Sequence, residues 1–354
     1  FKAVQGFLQQ HIAEIRDQNL YLTTRLDYLE TLMFGGQLQE FEQEALPLYK
    51  ELKSLRKPML RSKLAGVIAQ YYTNIGAYKQ AATFYRDKLS LAKHQNDKLN
   101  QRIASAGLGI VYSRLGSKTK AYKYFHQALS LAESIGDRNG YAKALLDLGV
   151  LHKNAGKYHE ALESYQRSLT IARQLGNKLL CSIITYDIGE LYYHQDNLDE
   201  SLNYYQQSRG LSESIADEIG ISFCNDAIGD ILFCQGKYDE AETLYLHNLE
   251  RQTKQQDHEG IAHTYGNLGN IAKMKQDFAT AMQYYRLQTD LLAEIGDKDG
   301  EGRAHFNTAM IHVEQGDNDN ARLELGKALQ LFEACHAQNF MDITRQQLEE
   351  LSNK

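Results

Sequence analysis

Apolar and small residues of this chain recur at intervals of three and four, which is the spacing of one face of an α-helix. Two successive faces are Leu145, Leu148, Gly149 and His152, then Ala161, Tyr165 and Leu169. Gly156 lies between these two segments, where a turn is needed. The pattern predicts two helices joined by a short turn, and no strand-like alternation of any length occurs along the chain.

The same pattern returns every 40 residues, and one of its positions is a glycine five times in succession. These glycines are Gly109, Gly149, Gly189, Gly229 and Gly269, with Ala69 and Ala309 at the same phase on either side. Glycine inside a helix costs about 1 kcal/mol relative to alanine. We therefore expect a neighbouring helix backbone to pass too close for a side chain, with the recurrent tyrosine filling the space between hairpins. The recurrence predicts tandem helical hairpins.

Two further series predict where the helices begin and end. A turn-forming residue recurs at Gly36, Gly76, Gly116, Gly156, Asp196, Gly236, Gln276 and Gly316. A residue suited to cap a helix N-terminus recurs at Asp97, Asp137, Asn177, Asp217, Asp257 and Asp297. The first series predicts the turn inside each hairpin, and the second predicts the start of the next one.

These anchors resemble the tetratricopeptide repeat (TPR) family, most closely in residues 139–173 and 259–293. The variety is similar to the repeats of Pins/LGN-type adaptors, because residues 266–270 read GNLGN. The resemblance implies an all-α fold in which tandem hairpins form a right-handed superhelix, an α-solenoid, with first helices on its inner wall.

We expect a single TPR solenoid over residues 1–354. It comprises an N-terminal helix or half repeat (1–19), a degenerate first repeat (20–57), seven repeats of period 40 (58–335) and a C-terminal capping helix (336–354). Phe41 marks the first repeat as degenerate, because it occupies a small-residue position. The chain begins without Met, so we expect it to be part of a longer protein.

Composition narrows the class of partner. The 354 residues carry a formal net charge of −6, which argues against nucleic acid as the main partner. The four cysteines match neither a zinc site nor a disulfide framework, which favours reduced thiols in the cytoplasm. No apolar run is long enough to span a membrane. The segment from Asp297 to Gly302 resembles the opening of a calcium loop, but Thr308 stands where the closing carboxylate is needed. We expect no metal and no cofactor.

Candidate binding residues lie on the face of each first helix that is opposite the predicted core. An Asp or Asn buried there without a partner would cost a few kcal/mol, so we expect an exposed concave stripe. Its residues are Lys143, Asp147, Asn154, Tyr186, Asp187, Glu190, His194, Phe223, Asp226, Asp230, His263, Asn267, Asn270, Arg303 and Asn307. The middle of this stripe is acidic and its later part is rich in amides.

The stripe predicts a protein-interaction module whose concave groove binds a peptide or protein segment of basic character. An alternative is the regulatory or sensor arm of a larger signalling protein, whose effector domain lies outside this chain. No catalytic motif is present, so we expect no enzyme activity. Self-association through the terminal repeats, a folded protein partner and a small signal molecule all stay open.

Overall fold

The computed structural model describes Gly6 and residues 16–352 of the chain. The described residues form 17 α-helices and no strand, so the predicted all-α fold class of tandem hairpins is confirmed. The helices are α1 (Gln18–Phe34), α2 (Leu38–Ser54), α3 (Pro58–Asn74), α4 (Tyr78–His94), α5 (Lys98–Arg114), α6 (Lys118–Ser134), α7 (Arg138–Lys153), α8 (Tyr158–Gln174), α9 (Lys178–Tyr193), α10 (Leu198–Glu213), α11 (Glu218–Cys234), α12 (Tyr238–Gln255), α13 (His258–Met274), α14 (Phe278–Ile295), α15 (Lys298–Glu314), α16 (Asn318–Cys335) and α17 (Gln338–Ser352).

The helices divide into two compact units, each described by itself. Unit 1 ends at Gln195 and contains α1 to α9; unit 2 begins at Asp196 and contains α10 to α17. In unit 1 each helix packs against the next one, and the first helices of successive hairpins also contact each other, as α5 does with α7 and α7 with α9. None of the described helices is both long and apolar enough to cross a bilayer.

The turns and caps follow the sequence. All eight predicted turn positions have a positive φ. Six of them are glycines, such as Gly156 at 73°, and the other two are Asp196 at 59° and Gln276 at 62°. All six predicted cap residues accept a backbone N–H three residues later, as Asp137 does from Gly140 at 2.8 Å. The local signals were therefore sufficient to place the helix termini.

The physical reason for the repeated glycine differs from the predicted one. At Gly109, Gly149, Gly229 and Gly269, the atoms nearest to an added Cβ belong to the ring on the second helix of the same hairpin and not to a backbone. A Cβ on Gly229 would lie 2.7 Å from Tyr245 Cε1, and one on Gly149 would overlap the Tyr165 ring. The prediction of a close helix backbone was therefore wrong, and these tyrosines fill space within their hairpins.

Tyr85 shows the other arrangement, in which a ring fills the space between hairpins. Its ring lies over Gly107 of the next hairpin, where a Cβ would overlap it. Ala69, on the first helix of its own hairpin, replaces the glycine at that phase and is fully buried. The predicted filling between hairpins therefore holds for Tyr85.

The ends of the chain are described in part. The predicted helix over residues 1–19 lies mainly outside the described residues, and Gln18 and Asn19 already belong to α1. Phe41 is fully buried, with its ring 4.9 Å from that of Tyr71. At the other end, α17 packs on α16, and Arg322 donates a hydrogen bond to the carbonyl oxygen of Leu351 at 2.6 Å.

Candidate functional site

In unit 1, α7 and α9 carry the first part of the predicted stripe. Lys143 is exposed, and so are Asn154 and His194, the C-cap residues of α7 and α9. The other predicted residues of these two helices are less exposed. Those half-buried residues are Asp147, Tyr186, Asp187 and Glu190. The expectation of an exposed stripe was therefore wrong for these carboxylates, which are half-buried.

Asp147 and Asp187 occupy the same phase on α7 and α9 and titrate abnormally. Burial raises the pKa of Asp147 to about 7, with repulsion from Asp187 adding to the shift and Lys143 opposing it. Burial also raises the pKa of Asp187 to about 7, while Lys153 lowers it and Glu190 raises it. The two carboxylates thus share a site in which a second negative charge is unfavourable.

Glu190 already has protein partners. It forms an ion pair with Lys153, whose side chain is only 7% exposed, and lies 3.6 Å from Nε2 of His194. Sequence reasoning missed Lys153, which follows the core residue His152 at the end of α7. The sequence signal for Lys153 was a single lysine in the last turn of α7, close to the repeat positions of Asp187 and Glu190 on α9.

Beneath this acidic site lies the ring of Tyr165 on α8. The side chain is fully buried, and its hydroxyl has no hydrogen-bond partner among the described residues. Burial raises its pKa, and the negative charges of Asp187 and Glu190 raise it further. An unpaired hydroxyl therefore lies close to the carboxylates of α9.

In unit 2, α11 presents Phe223, Asp226 and Asp230, and both carboxylates have hydrogen-bond partners. Phe223 is 58% exposed. Asp226 accepts a hydrogen bond from Asn248 Nδ2 at 2.8 Å, and Asp230 accepts one from the Tyr245 hydroxyl at 2.6 Å. Burial raises the pKa of Asp226, while the Asn248 hydrogen bond lowers it. Part of the predicted acidic surface therefore also stabilises the hairpin.

The amide-rich part of the stripe converges on one open cleft in unit 2. The cleft has a volume of about 610 Å³ and lies between α13, α14 and α15. Five predicted residues line it: His263, Asn267, Asn270, Arg303 and Asn307. His263 and Arg303 are exposed, while the three asparagines are half-buried. The structure thus brings together side chains that are up to 44 positions apart in the sequence.

Two polar atoms in this cleft are buried and lack a hydrogen-bond partner. They are the donor Asn267 Nδ2 and the acceptor Gln288 Oε1. Asn270, by contrast, accepts a hydrogen bond from the Tyr285 hydroxyl at 2.7 Å. Sequence reasoning missed Gln288, because it considered only first helices; Gln288 lies on α14 and crosses to cover Gly266 of α13. A buried unpaired donor and a buried unpaired acceptor that line the same cleft call for a ligand or water that supplies both partners.

No cluster of three or more His, Cys, Asp or Glu side chains among the described residues could hold a metal ion. Asp297, at the start of the calcium-loop-like segment, instead accepts the Gly300 N–H at 3.0 Å as the N-cap of α15.

The tetratricopeptide repeat family model matches residues 101–174, 141–214 and 222–287, which together make up about half of the chain. No curated protein matches the chain by sequence.

Several solved structures share the fold. A Signal Transduction ATPase with Numerous Domains (STAND) protein with a tetratricopeptide repeat sensor, from Pyrococcus horikoshii, aligns with a TM-score of 0.66 at 13% identity. The alignment covers 97% of this chain and 55% of that one, so the chain spans about half the length of the STAND protein.

Two further similar structures are complexes. A Rap protein complexed with Competence and Sporulation Factor aligns with a TM-score of 0.62 at 14% identity, covering 99% of this chain and 92% of the other. NprR in complex with its cognate peptide NprX aligns with a TM-score of 0.55 at 18% identity, covering 78% and 79%. At these identities the likeness is one of fold.

Proposed function

Because this chain belongs to the tetratricopeptide repeat family, we propose that it is a protein-interaction module that binds an extended peptide, and that the cleft of unit 2 holds the peptide backbone. The observation that carries this proposal is the unpaired pair Asn267 Nδ2 and Gln288 Oε1. A peptide residue offers a C=O to the first atom and an N–H to the second. Leaving each atom unpaired costs about 1–3 kcal/mol, so a ligand that pairs both binds with that free energy in its favour.

The proposal extends to the charge of the peptide. In unit 1, a Lys or Arg side chain beside Asp147 and Asp187 would relieve the repulsion between the carboxylates. In unit 2, Asp226 and Asp230 offer further negative charge on α11. Carboxylates of this kind select partners through charge complementarity. A ligand of basic character fits both surfaces.

The comparisons support a peptide ligand by analogy of fold. The Rap and NprR structures that share this fold were solved with a factor or a peptide bound. The 40-residue variety of the repeat, similar to Pins/LGN-type adaptors, is part of the same proposal, since the GNLGN stretch supplies Asn267 and Asn270 to the cleft.

The test is selection from a library of random peptides, followed by fluorescence polarisation of the selected peptides. Asn267→Ala and Gln288→Ala should each raise the dissociation constant about tenfold, because each removes a hydrogen bond worth about 1.4 kcal/mol. Gln283→Ala is the matched control, because Gln283 is exposed on α14 and does not line the cleft. It should leave the dissociation constant unchanged.

The charge preference is tested separately. Asp187→Asn combined with Asp226→Asn keeps the shape and the hydrogen-bond acceptors but removes both charges. The selected peptides should then lose their enrichment in Lys and Arg. Unchanged affinity in the Asn267→Ala, Gln288→Ala double variant would show that the cleft is not the peptide site, whatever the charge result.

A second candidate function is the sensor arm of a longer signalling protein. Its support is the alignment of nearly the whole chain with about half of a STAND protein that has a tetratricopeptide repeat sensor. The test is nucleotide hydrolysis by the full-length gene product with and without the selected peptide. A full-length product without an ATPase or other effector domain removes this candidate.

We also propose a non-catalytic role in a reducing, cytoplasmic environment. Its support is that all four cysteines are free thiols, of which Cys181 and Cys224 are buried. Burial raises the pKa of both buried thiols, which keeps them protonated and unreactive.

A further inference from the structure

The net charge of −6 conceals two regions of opposite sign. Residues 51–178, all in unit 1, contain 22 Lys and Arg against 8 Asp and Glu, a net charge of +14. Residues 196–250, in unit 2, contain 2 Lys and Arg against 12 Asp and Glu, a net charge of −10. Such asymmetry between parts of a chain indicates an interaction surface.

The positive charge concentrates at the turns inside two successive hairpins of unit 1. We name this cluster the basic turn patch; it consists of Lys79, Arg114, Lys118, Lys120 and Lys123. All five side chains are exposed, and none forms an ion pair with a described residue. The ammonium of Lys120 has only the ring of Tyr112, 5.1 Å from its centroid.

The position of two of these lysines is unfavourable in the isolated chain. Lys118 and Lys120 lie in the first turn of α6, which contains no acidic residue. The positive end of the helix dipole repels cations there. An anionic partner would offset that repulsion.

Unit 2 has the complementary cluster at equivalent positions. This acidic turn patch consists of Asp196, Asp199, Glu200, Asp239 and Glu240, all exposed. Asp199 and Glu200 begin α10, and Asp239 and Glu240 begin α12. Only Asp239 forms an ion pair within the described part of unit 2, with Lys275 at 2.6 Å.

The two patches share one register. Lys79 is the second residue of α4, just as Asp199 and Asp239 are the second residues of α10 and α12. Lys120 is the third residue of α6, just as Glu200 and Glu240 are the third residues of their helices. The basic turn patch lies at the N-termini of α4 and α6, and the acidic turn patch lies at those of α10 and α12, so each pair of helices is separated by one helix in the chain. The two patches therefore have the same sequence register and opposite charge.

We propose that the basic turn patch of one copy binds the acidic turn patch of a second copy, so that the protein self-associates head to tail. The contact joins different surfaces, so each complex keeps one free patch of either sign and can extend further. Neither patch includes a residue of the amide cleft, so this proposal is independent of peptide binding.

The test is sedimentation velocity at increasing protein concentration, in about 10 mM and about 1 M salt, where the Debye length is about 30 Å and about 3 Å. Wild type should form faster-sedimenting species at low salt and lose them at high salt. Lys118→Glu with Lys120→Glu should stay monomeric at both. Asp199→Lys with Glu200→Lys should also stay monomeric, because the net charge of its acidic turn patch falls from −5 to −1.

Mixing these two double variants is decisive, because each then supplies the sign that the other lacks. The mixture should recover the faster species that neither parent forms. Arg173→Glu with Lys178→Glu is the matched control: it makes the same charge change at the opposite turn edge of unit 1 and should associate as wild type does. Circular dichroism verifies that all variants are folded.

Three results would overturn the proposal: a monomeric wild type at low salt, a mixture that stays monomeric, or a control that also loses association. Binding of wild type to single-stranded DNA and to anionic lipid vesicles is measured in the same experiment. If monomeric wild type binds either one through Lys118 and Lys120, the patch serves a polyanion and not a second copy.

Discussion

The hydroxyl of Tyr245 donates a 2.6 Å hydrogen bond to Oδ1 of Asp230, fifteen residues earlier on the facing helix of the same hairpin. The corresponding hydroxyls of Tyr285 and Tyr85 donate to Asn270 at 2.7 Å and to Gln70 at 3.3 Å. Where the ring position lacks a hydroxyl, the facing residue is apolar: Phe125 faces Ile110, and Leu325 faces Met310. Tyr165 breaks the rule, because its facing residue is Val150 and its hydroxyl is unpaired.

Tyrosine-to-phenylalanine substitutions should therefore have opposite effects at different hairpins. Tyr165→Phe removes a buried unpaired hydroxyl and should leave the free energy of unfolding unchanged or raise it by up to about 1 kcal/mol. Tyr245→Phe and Tyr285→Phe each break a hydrogen bond and should lower it by about 1 kcal/mol. Urea unfolding of the three variants measures the difference. Equal losses at all three sites would contradict the assignment of the unpaired hydroxyl.

Gly149→Ala should destabilise the chain although alanine is the better helix former. The added methyl group overlaps the Tyr165 ring, and overpacking of this kind costs about 2 kcal/mol. Gly210→Ala is the control, since a Cβ there meets nothing within 4 Å. It should stabilise the chain by about 1 kcal/mol in a thermal or urea melt.

A second substitution distinguishes the ring from any other cause of the Gly149→Ala loss. The last full hairpin pairs Ala309 with Leu325 in place of glycine and tyrosine, and both side chains are fully buried. Adding Tyr165→Leu to Gly149→Ala should therefore recover about half of the lost stability. If the double variant is no more stable than Gly149→Ala alone, the added methyl group does not clash with the Tyr165 ring.

The stability of the chain should fall as pH rises toward neutrality because of Asp147 and Asp187. Burial raises the pKa of each to about 7 in the folded chain, above the value of about 4 in an unfolded chain. The folded state therefore binds more protons than the unfolded state between about pH 4 and pH 7, and its stability decreases across that range. Asp147→Asn should raise the free energy of unfolding at about pH 8 by about 2 kcal/mol.

Urea titrations at about pH 5 and about pH 8 measure this effect. The difference between the two should shrink in Asp147→Asn and in Asp187→Asn. The control is Asp290→Asn, which changes an exposed carboxylate on α14. An equal dependence of stability on pH in wild type and in both variants would show that these carboxylates are ionised in the folded chain.

Helix caps should differ in their effect according to what else they bind. Asp257 caps α13 by accepting the Gly260 N–H at 3.0 Å, and its removal by Asp257→Ala should cost about 1 kcal/mol. Asp137 caps α7 and also pairs with Nε of Arg102 at 2.9 Å. Asp137→Ala should cost about 2–3 kcal/mol. Asp137→Asn retains the cap and should recover about 1 kcal/mol of that loss in the same unfolding experiment.

The sequence was sufficient for features that depend on the local chain. Cap residues such as Asp137 act within three positions, and turn residues such as Gly156 need only their own φ. Both were predicted correctly. The fold class followed, because hairpins that repeat these signals can bury their apolar faces only against each other.

Features that depend on a neighbouring hairpin were not predictable from one helix at a time. Burial is the main cause of the raised pKa of Asp147, and the negative charge of Asp187, forty positions away on α9, raises that pKa further. Gln288 was missed because its role depends on reaching across to Gly266. The helical pattern identified which residues share a face, but not how closely the next hairpin approaches it.

The pairing of Gly149, Val150 and Tyr165 limits how hairpins of this chain can be recombined. A crossover between positions 150 and 165 that introduced α12 after α7 would seat the Tyr245 ring on Gly149, but would leave its hydroxyl opposite Val150. Introducing α6 there would bring Phe125, which needs no acceptor. Chimeric arrays should therefore accept hairpins exchanged whole, and should accept split ones only when the incoming ring suits the resident helix.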